Sequence, residues 1–300
     1  MWEQMLTDLQ QADTRSLARC ISLVENEAHG YEELMKSLST DHNSKIIGIT
    51  GPPGAGKSTL VDSLIGELVK NKFRVGILCV DPSSPFNLGA LLGDRIRMSE
   101  WYNHPNVFIR SLATRGALGG LHPKIIEITD LLKEARFDFI IVETVGVGQS
   151  EIEIAGLADI TVVVLVPEGG DEIQTMKAGL MEIADIFVVN KSDRPGADQF
   201  VRNLNLMLSP SRHSDHRPIP IIKTIASEKT GTVELIETIR KLEIEIKGND
   251  KKCWLLAEQA YHLIQNKKMK AINKFELKEL IEQSIKKGHF NLYNFIENLV

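Results

Sequence analysis

Gly51-Pro52-Pro53-Gly54-Ala55-Gly56-Lys57-Ser58-Thr59 is the stretch that decides the fold. It fits G-x-x-x-x-G-K-[ST], a turn whose backbone N–H groups wrap around phosphate oxygens. Before it, Lys45-Ile46-Ile47-Gly48-Ile49 is a short apolar run of strand type. After it, Leu60, Val61, Leu64, Ile65, Leu68 and Val69 recur at helical spacing. A strand, a glycine loop and a helix in that order aim the positive end of the helix at the anion that the loop holds. Lys57 then reaches the β- and γ-phosphates, and the Ser58 hydroxyl ligates Mg²⁺. A plain glycine-rich turn would not need all nine positions in register. The stretch therefore predicts a nucleoside triphosphate site built from Gly51, Gly54, Ala55, Gly56, Lys57, Ser58 and Thr59.

Outward from this loop, apolar strand runs alternate with helical patterns from residue 45 to about residue 247. Strands are expected over 46–50, 75–80, 107–111, 139–143, 160–166, 186–190 and 219–224. Helices are expected over 57–72, 124–135, 151–157, 172–182, 198–208 and 233–246. Alternation of this kind predicts an α/β fold, a mainly parallel sheet with helices on both faces. Ile160-Thr161-Val162-Val163-Val164-Leu165-Val166 is apolar on both its faces and belongs in the middle of such a sheet. Ligands of open sheets sit beyond the carboxyl ends of the strands, so chemistry is sought there. Residues 2–40 read as two or three amphipathic helices, with a break at Asn26, His29 and Gly30, and residues 251–300 as a lysine-rich helical arm. The expected organisation is a helical extension over 1–43, the nucleotide-binding domain over 44–248, and an arm over 249–300 suited to dimerisation.

The bulk properties narrow the function classes. The chain has 300 residues, of which 43% are hydrophobic and 25% charged, as in ordinary globular proteins. A net charge of −5 gives no support for nucleic-acid binding. Met1-Trp2-Glu3-Gln4 lacks the start of a secretory signal, and no apolar run approaches the roughly 20 residues that span a membrane. Cys20, Cys79 and Cys253 are odd in number and far apart, which suits a reducing cytoplasm better than a disulfide framework.

Three strand ends carry further chemistry. Asn190-Lys191-Ser192-Asp193 follows the run 186–189. An Asp carboxylate at this place accepts from guanine N1–H and its 2-amino group together, a donor pair that adenine lacks. The nucleotide is accordingly read as GTP. Glu143-Thr144-Val145-Gly146 ends the run 139–142, where GTPases usually carry D-x-x-G; Glu143 takes the place of Asp, and the Gly146 N–H that of the γ-phosphate contact. The glycines of Val147-Gly148-Gln149-Ser150 permit rearrangement. Gln149 is a candidate for orienting water by position alone. Asp81-Pro82-Ser83-Ser84-Pro85 closes the second strand, and a carboxylate there reaches the Mg²⁺ shell. Asp94 reads equally as part of that shell or as a surface charge, and Arg95 and Arg97 as solvated cations or phosphate partners.

Together with Leu92-Gly93-Asp94-Arg95, Thr114-Arg115-Gly116, Gly119-Gly120-Leu121 and above all Val142-Glu143-Thr144-Val145-Gly146-Val147-Gly148-Gln149-Ser150-Glu151, these motifs resemble the MeaB/ArgK family of P-loop GTPases. The resemblance implies a Mg²⁺-dependent GTPase, usually a homodimer, that binds GTP and GDP. It implies a G-protein chaperone that gates cobalamin loading and protects a B12-dependent acyl-CoA mutase such as methylmalonyl-CoA mutase. It also implies that Asp81, Asp94 and Glu143 are acids of the magnesium and catalytic region, and that 81–98 and 143–151 are nucleotide-responsive switches. Glu168-Gly169-Gly170-Asp171-Glu172-Ile173-Gln174 matches a third switch, which meets the mutase. The Ser-Ala pair that touches guanine in the family stands here as Ile225-Ala226, which leaves the Ala226 N–H for guanine O6. Three other readings stay open. An ATP-dependent kinase, an older label for the family, shares the loop but has no use for Asn190 to Asp193. A metal-insertion GTPase would want more than His213-Ser214-Asp215-His216. A nucleotide-stabilised binding module would need no hydrolysis.

Overall fold

The central strand β1 (Lys45–Thr50) has Ile46, Ile47 and Ile49 all but fully buried, and neighbours on both sides. A computed structural model describes residues 2–39, 42–81, 98–114, 121–144, 150–167, 178–208, 218–245, 250–269, 273–286, 288 and 290–297. Seven parallel strands form the sheet in the order β3-β2-β4-β1-β5-β6-β7. They are β1, β2 (Val75–Asp81), β3 (Val107–Ala113), β4 (Phe139–Glu143), β5 (Ile160–Leu165), β6 (Ile186–Val189) and β7 (Ile221–Lys223). The order reverses direction at β1, between β4 and β5, so the crevice for a ligand opens beyond Thr50.

Alternate residues of each strand feed two separate cores. On one face Ile47, Ile49, Val162 and Val164 pack with Leu60, Leu64 and Leu68 of α4 (Lys57–Lys70) and with Leu235 and Ile239 of α9 (Thr232–Glu245). On the other, Val163, Leu165, Phe187 and Val189 pack with α7 (Ala178–Ile183) and with Phe200 and Leu204 of α8 (Ala197–Leu208). A strand buried on both faces must be apolar throughout, which is why β5 shows no alternation. Gly48 lets α6 (Ser150–Leu157) lie close on β1, since a Cβ there would stand 2.6 Å from Ile154 Cγ1.

Of three N-terminal helices, α1 (Trp2–Gln10) and α2 (Thr14–Glu25) pack on α5 (Ile125–Glu134), and α3 (Tyr31–Lys36) packs on α1 and α2. The Asp13 side chain caps α2 by accepting from Ser16 N at 2.8 Å, and this bond holds its carboxyl below the usual carboxylate range. Polar pins join these helices to the sheet layer. Buried Glu134 accepts from Gln10 Nε2 at 2.7 Å and Ser39 N at 2.8 Å, and Glu25 pairs with Arg110 on β3. Burial pushes the Cys20 thiol up to about 11, so it behaves as a small core residue.

Several element ends differ from expectation by one or a few residues, two of them for a plain local reason. The helix after the phosphate loop stops at Lys70 rather than at residue 72. Lys72 is left-handed at φ 65°, its N–H bonds Val69 O, and the Phe73 N–H bonds Leu68 O, a Schellman ending. Strand β7 covers three residues, not 219–224, because Pro218 and Pro220 have no N–H for a ladder.

The chain divides into two compact units, Met1–Lys251 and Lys252–Val300. The second contains most of α10 (Asp250–Met269) and all of α11 (Lys274–Lys286) and α12 (Leu292–Glu297). No helix among the described residues is long and apolar enough to cross a membrane.

Candidate functional site

The loop that joins β1 to α4 is shaped by contacts that only glycine allows. Gly51 has φ 136°, and a Cβ on it would stand 2.1 Å from the carbonyl oxygen of Val164 on β5. Gly56 has φ 87°, and its Cβ would stand 2.4 Å from Asn190 Nδ2. Both ends of the loop are thus fixed against neighbouring strands. At its exposed tip, a Cβ added to Gly54 would meet nothing within 4 Å, and the φ of 77° is what favours glycine there.

Lys57 starts α4 and folds back over the loop. Its buried ammonium donates to Gly51 O at 2.9 Å and Pro52 O at 3.1 Å. Beside it, the Ser58 hydroxyl donates to Glu143 Oε1 at 2.6 Å, with both side chains buried. The register of the sheet explains this meeting, because Ile49 of β1 lies opposite Glu143 of β4. Thr144 extends the tie: its N–H bonds Ile49 O at 3.0 Å, and its hydroxyl donates to Thr50 Oγ1 at 2.9 Å. This threonine pair is a feature that the sequence reading missed, although a hydroxyl at the end of each of two apolar strands is a visible signal.

Asn190 links three elements. Its Nδ2 donates to Ala55 O at 2.9 Å, while its Oδ1 accepts from Thr224 Oγ1 and from Ala226 N, each at 3.1 Å. The side chain is 2% exposed, so it braces the loop from behind. The Ala226 N–H, expected on guanine O6, is given to Asn190 here. Lys191 is left-handed at φ 55°, and its ammonium donates to Gly54 O at 2.8 Å, across the loop. Asp193 is exposed on the same turn.

Asp81 ends β2, in register with Ala113 of β3. Thr59 is half-buried on the first turn of α4. Asp94, Gly146 and Gln149 lie outside the described residues, as do 168–174 and 213–216. Among the described residues no group of three or more His, Cys, Asp and Glu is placed to hold a metal ion. The donors gathered here are instead one hydroxyl and one carboxylate.

A phosphate loop, a carboxylate on its serine and an Asn-Lys-x-Asp turn braced against it are thus brought together beyond the end of β1. The family model described as methylmalonyl Co-A mutase-associated GTPase MeaB matches residues 17–279. The chain belongs to the MeaB family. It is a GTPase, with the P-loop NTPase fold.

Relatives of this MeaB-family chain extend over most of it. A Pyrococcus abyssi protein is 43% identical over 295 residues, covering 97% of this chain and 89% of that one. The mouse methylmalonic aciduria type A homolog, mitochondrial, is 34% identical over 263 residues, covering 80% of this chain and 63% of its own length. The solved structure of LAO/AO transport system kinase shares the fold, with TM-score 0.68 at 23% identity over 99% of this chain and 96% of that one.

Proposed function

We propose that this MeaB-family GTPase is a nucleotide-switched chaperone of a B12-dependent acyl-CoA mutase, gating cobalamin loading and protecting the mutase. The observation that carries the reading is the 2.6 Å bond from Ser58 Oγ to Glu143 Oε1. It ties the hydroxyl assigned to Mg²⁺ to the end of β4, so that a change of occupant at the loop is felt at that strand end. The MeaB family is described as methylmalonyl Co-A mutase-associated, which supports the choice of partner.

In this reading the Lys57 ammonium exchanges the Gly51 and Pro52 carbonyls for oxygens of the β- and γ-phosphates. The loop N–H groups and the end of α4 hold the rest of the charge. The buried Ser58 hydroxyl and Glu143 carboxylate are hard oxygen donors that suit Mg²⁺, with Asp81 and Asp94 as further acids of its shell. When bound, the ion neutralises charge that builds on the phosphate oxygens. Gln149 is assigned to the attacking water. The Lys252–Val300 unit exposes Trp254, Phe275 and Tyr293 by more than three quarters each, apolar surface that supports a homodimer through this arm.

Asp193 is assigned to the base. Asp193→Asn is expected to weaken GTP about tenfold or more relative to xanthosine triphosphate, whose C2 carbonyl accepts from the new amide. Competition binding measures this, and an unmoved preference removes Asp193 from base recognition.

The partner is tested by capture from native extract with the protein loaded with GDP or with a non-hydrolysable GTP analogue. A cobalamin-dependent acyl-CoA mutase, recovered to different extents in the two states, is the expected result. Its absence from both would overturn the chaperone reading and leave the GTPase assignment intact.

A further inference from the structure

At the end of the sheet opposite the phosphate loop, under the first residues of β1 and β4, lies a cavity of about 430 Å³. That volume falls in the range of small-molecule sites. Lys45 and Phe139, paired across the ladder, form part of its lining. The charge around it is one-sided: Lys45, Lys133, Arg136 and Arg240 face a single carboxylate, Asp138. Asp138 is already engaged, since its Oδ2 accepts from Arg74 N at 2.7 Å. Lys133 is engaged too, with Asp130 at 2.7 Å. Among the described residues no carboxylate pairs with the guanidinium of Arg136 or Arg240.

The rest of the lining is mixed, with His42, Asn43 and Ser44 polar and Phe73, Phe137 and Phe139 apolar. Phe73 and Phe139 meet edge to face with ring centroids 5.1 Å apart, and the Arg240 guanidinium stands 5.8 Å from the Phe73 centroid. This cation–π contact steadies the head of Arg240 without neutralising it. Arg136 owes its place to the end of α5. The Phe137 N–H bonds Leu132 O and the Arg136 N–H bonds Lys133 O, a Schellman ending with Arg136 left-handed at φ 59°. Glycine takes that conformation without strain, and arginine does not. The carbonyls just past the helix, at Ala135 and Arg136, accept from Arg74 Nη1 at 2.6 and 3.3 Å, which leaves them less exposed to repel an anion.

We propose that this cavity is a second ligand site, which takes a small organic phosphate or carboxylate. Arg136 and Arg240 grip the anionic head, and the apolar body lies against Phe73 and Phe139. Guanidinium forks match both kinds of head group, which is why the chemistry is shared between them. The ligand is not the GTP of the switch, because β1 separates its first residue, Lys45, in this cavity from the phosphate loop that begins after Thr50. The two sites nevertheless hold opposite ends of one strand.

The test uses the full chain saturated with GDP, so that the nucleotide site is filled. Phenyl phosphate and benzoate are titrated in, with phenol and inorganic phosphate as the separate halves, and binding is followed by ligand-observed NMR. Phenyl phosphate, benzoate or both are expected to bind at least tenfold more tightly than either half. Arg136→Gln and Arg240→Gln should each weaken that binding about tenfold. Both side chains are exposed, and circular dichroism checks that the variants fold. An affinity unchanged in the double variant overturns the proposal, as does binding that disappears on GDP saturation. Arginine-dependent binding of a poly-glutamate peptide, with neither small anion bound, overturns it in favour of an acidic protein segment.

Discussion

Replacing Lys57 by alanine is expected to abolish tight GTP binding, with a loss of about a hundredfold or more. A hydrogen bond to a charged group is worth about 1.5–3 kcal/mol, and the Lys57 ammonium is placed to give two of them to the phosphates. It is already drawn over the loop, on Gly51 O at 2.9 Å and Pro52 O at 3.1 Å. The side chain therefore has little freedom left to lose when phosphate arrives, although the two carbonyl bonds it gives up offset part of the gain. Deleting it should leave the fold standing, since α4 keeps its apolar face of Leu60, Leu64 and Leu68 in the core. Fluorescent-nucleotide titration measures the affinity, and thermal unfolding checks the fold. GTP bound as tightly as before would remove Lys57 from the phosphate site. Lys57→Arg keeps the charge but brings a planar head too wide for the same two carbonyls, so it should rescue little.

The sheet was legible because burial on both faces leaves a coarse mark. β1, β4, β5 and β6 are runs of Ile, Val, Leu and Phe with few polar interruptions, and no other element tolerates that composition at such a length. Helix and strand ends were less legible. Whether Lys72 prolongs α4 or turns left-handed to end it depends on the bonds of Lys72 and Phe73 to the last turn, and lysine itself signals neither. The glycine loop and the Asn-Lys-x-Asp turn could be found from residue type and spacing, since the close approaches at Gly51 and Gly56 admit no side chain. Their mutual wiring could not. Ser58 and Glu143 are 85 residues apart, and only the parallel register of β1 with β4 brings the hydroxyl to the carboxylate. The bond from the Lys191 ammonium to Gly54 O is likewise between residues 137 apart, and residue type does not announce it.

Asn190 is where this wiring is most concentrated, and Asn190→Ala is the second change with a large expected effect. The amide side chain gives one hydrogen bond to Ala55 O and takes two, from Thr224 Oγ1 and Ala226 N. Asn190 and Thr224 are at most 2% exposed, as is Ala55, so water has poor access to the groups that would be abandoned. A buried polar group without its partner costs about 1–3 kcal/mol, and three such groups make a total of about 3 kcal/mol or more. That is a large share of the roughly 5–15 kcal/mol that holds a typical domain together. Denaturant unfolding should show the loss as an earlier midpoint. GTP affinity should fall with it, because Ala55 and the Gly56 turn lose the contact that holds them in place. Thr224→Val removes one donor and leaves Asn190 Oδ1 its bond from Ala226 N. It is expected to cost about 1 kcal/mol and to spare GTP binding. If Asn190→Ala unfolds at the denaturant concentration of the unchanged chain, Asn190 is no brace. If it unfolds early but binds GTP as tightly as before, the brace supports the sheet and not the phosphate loop.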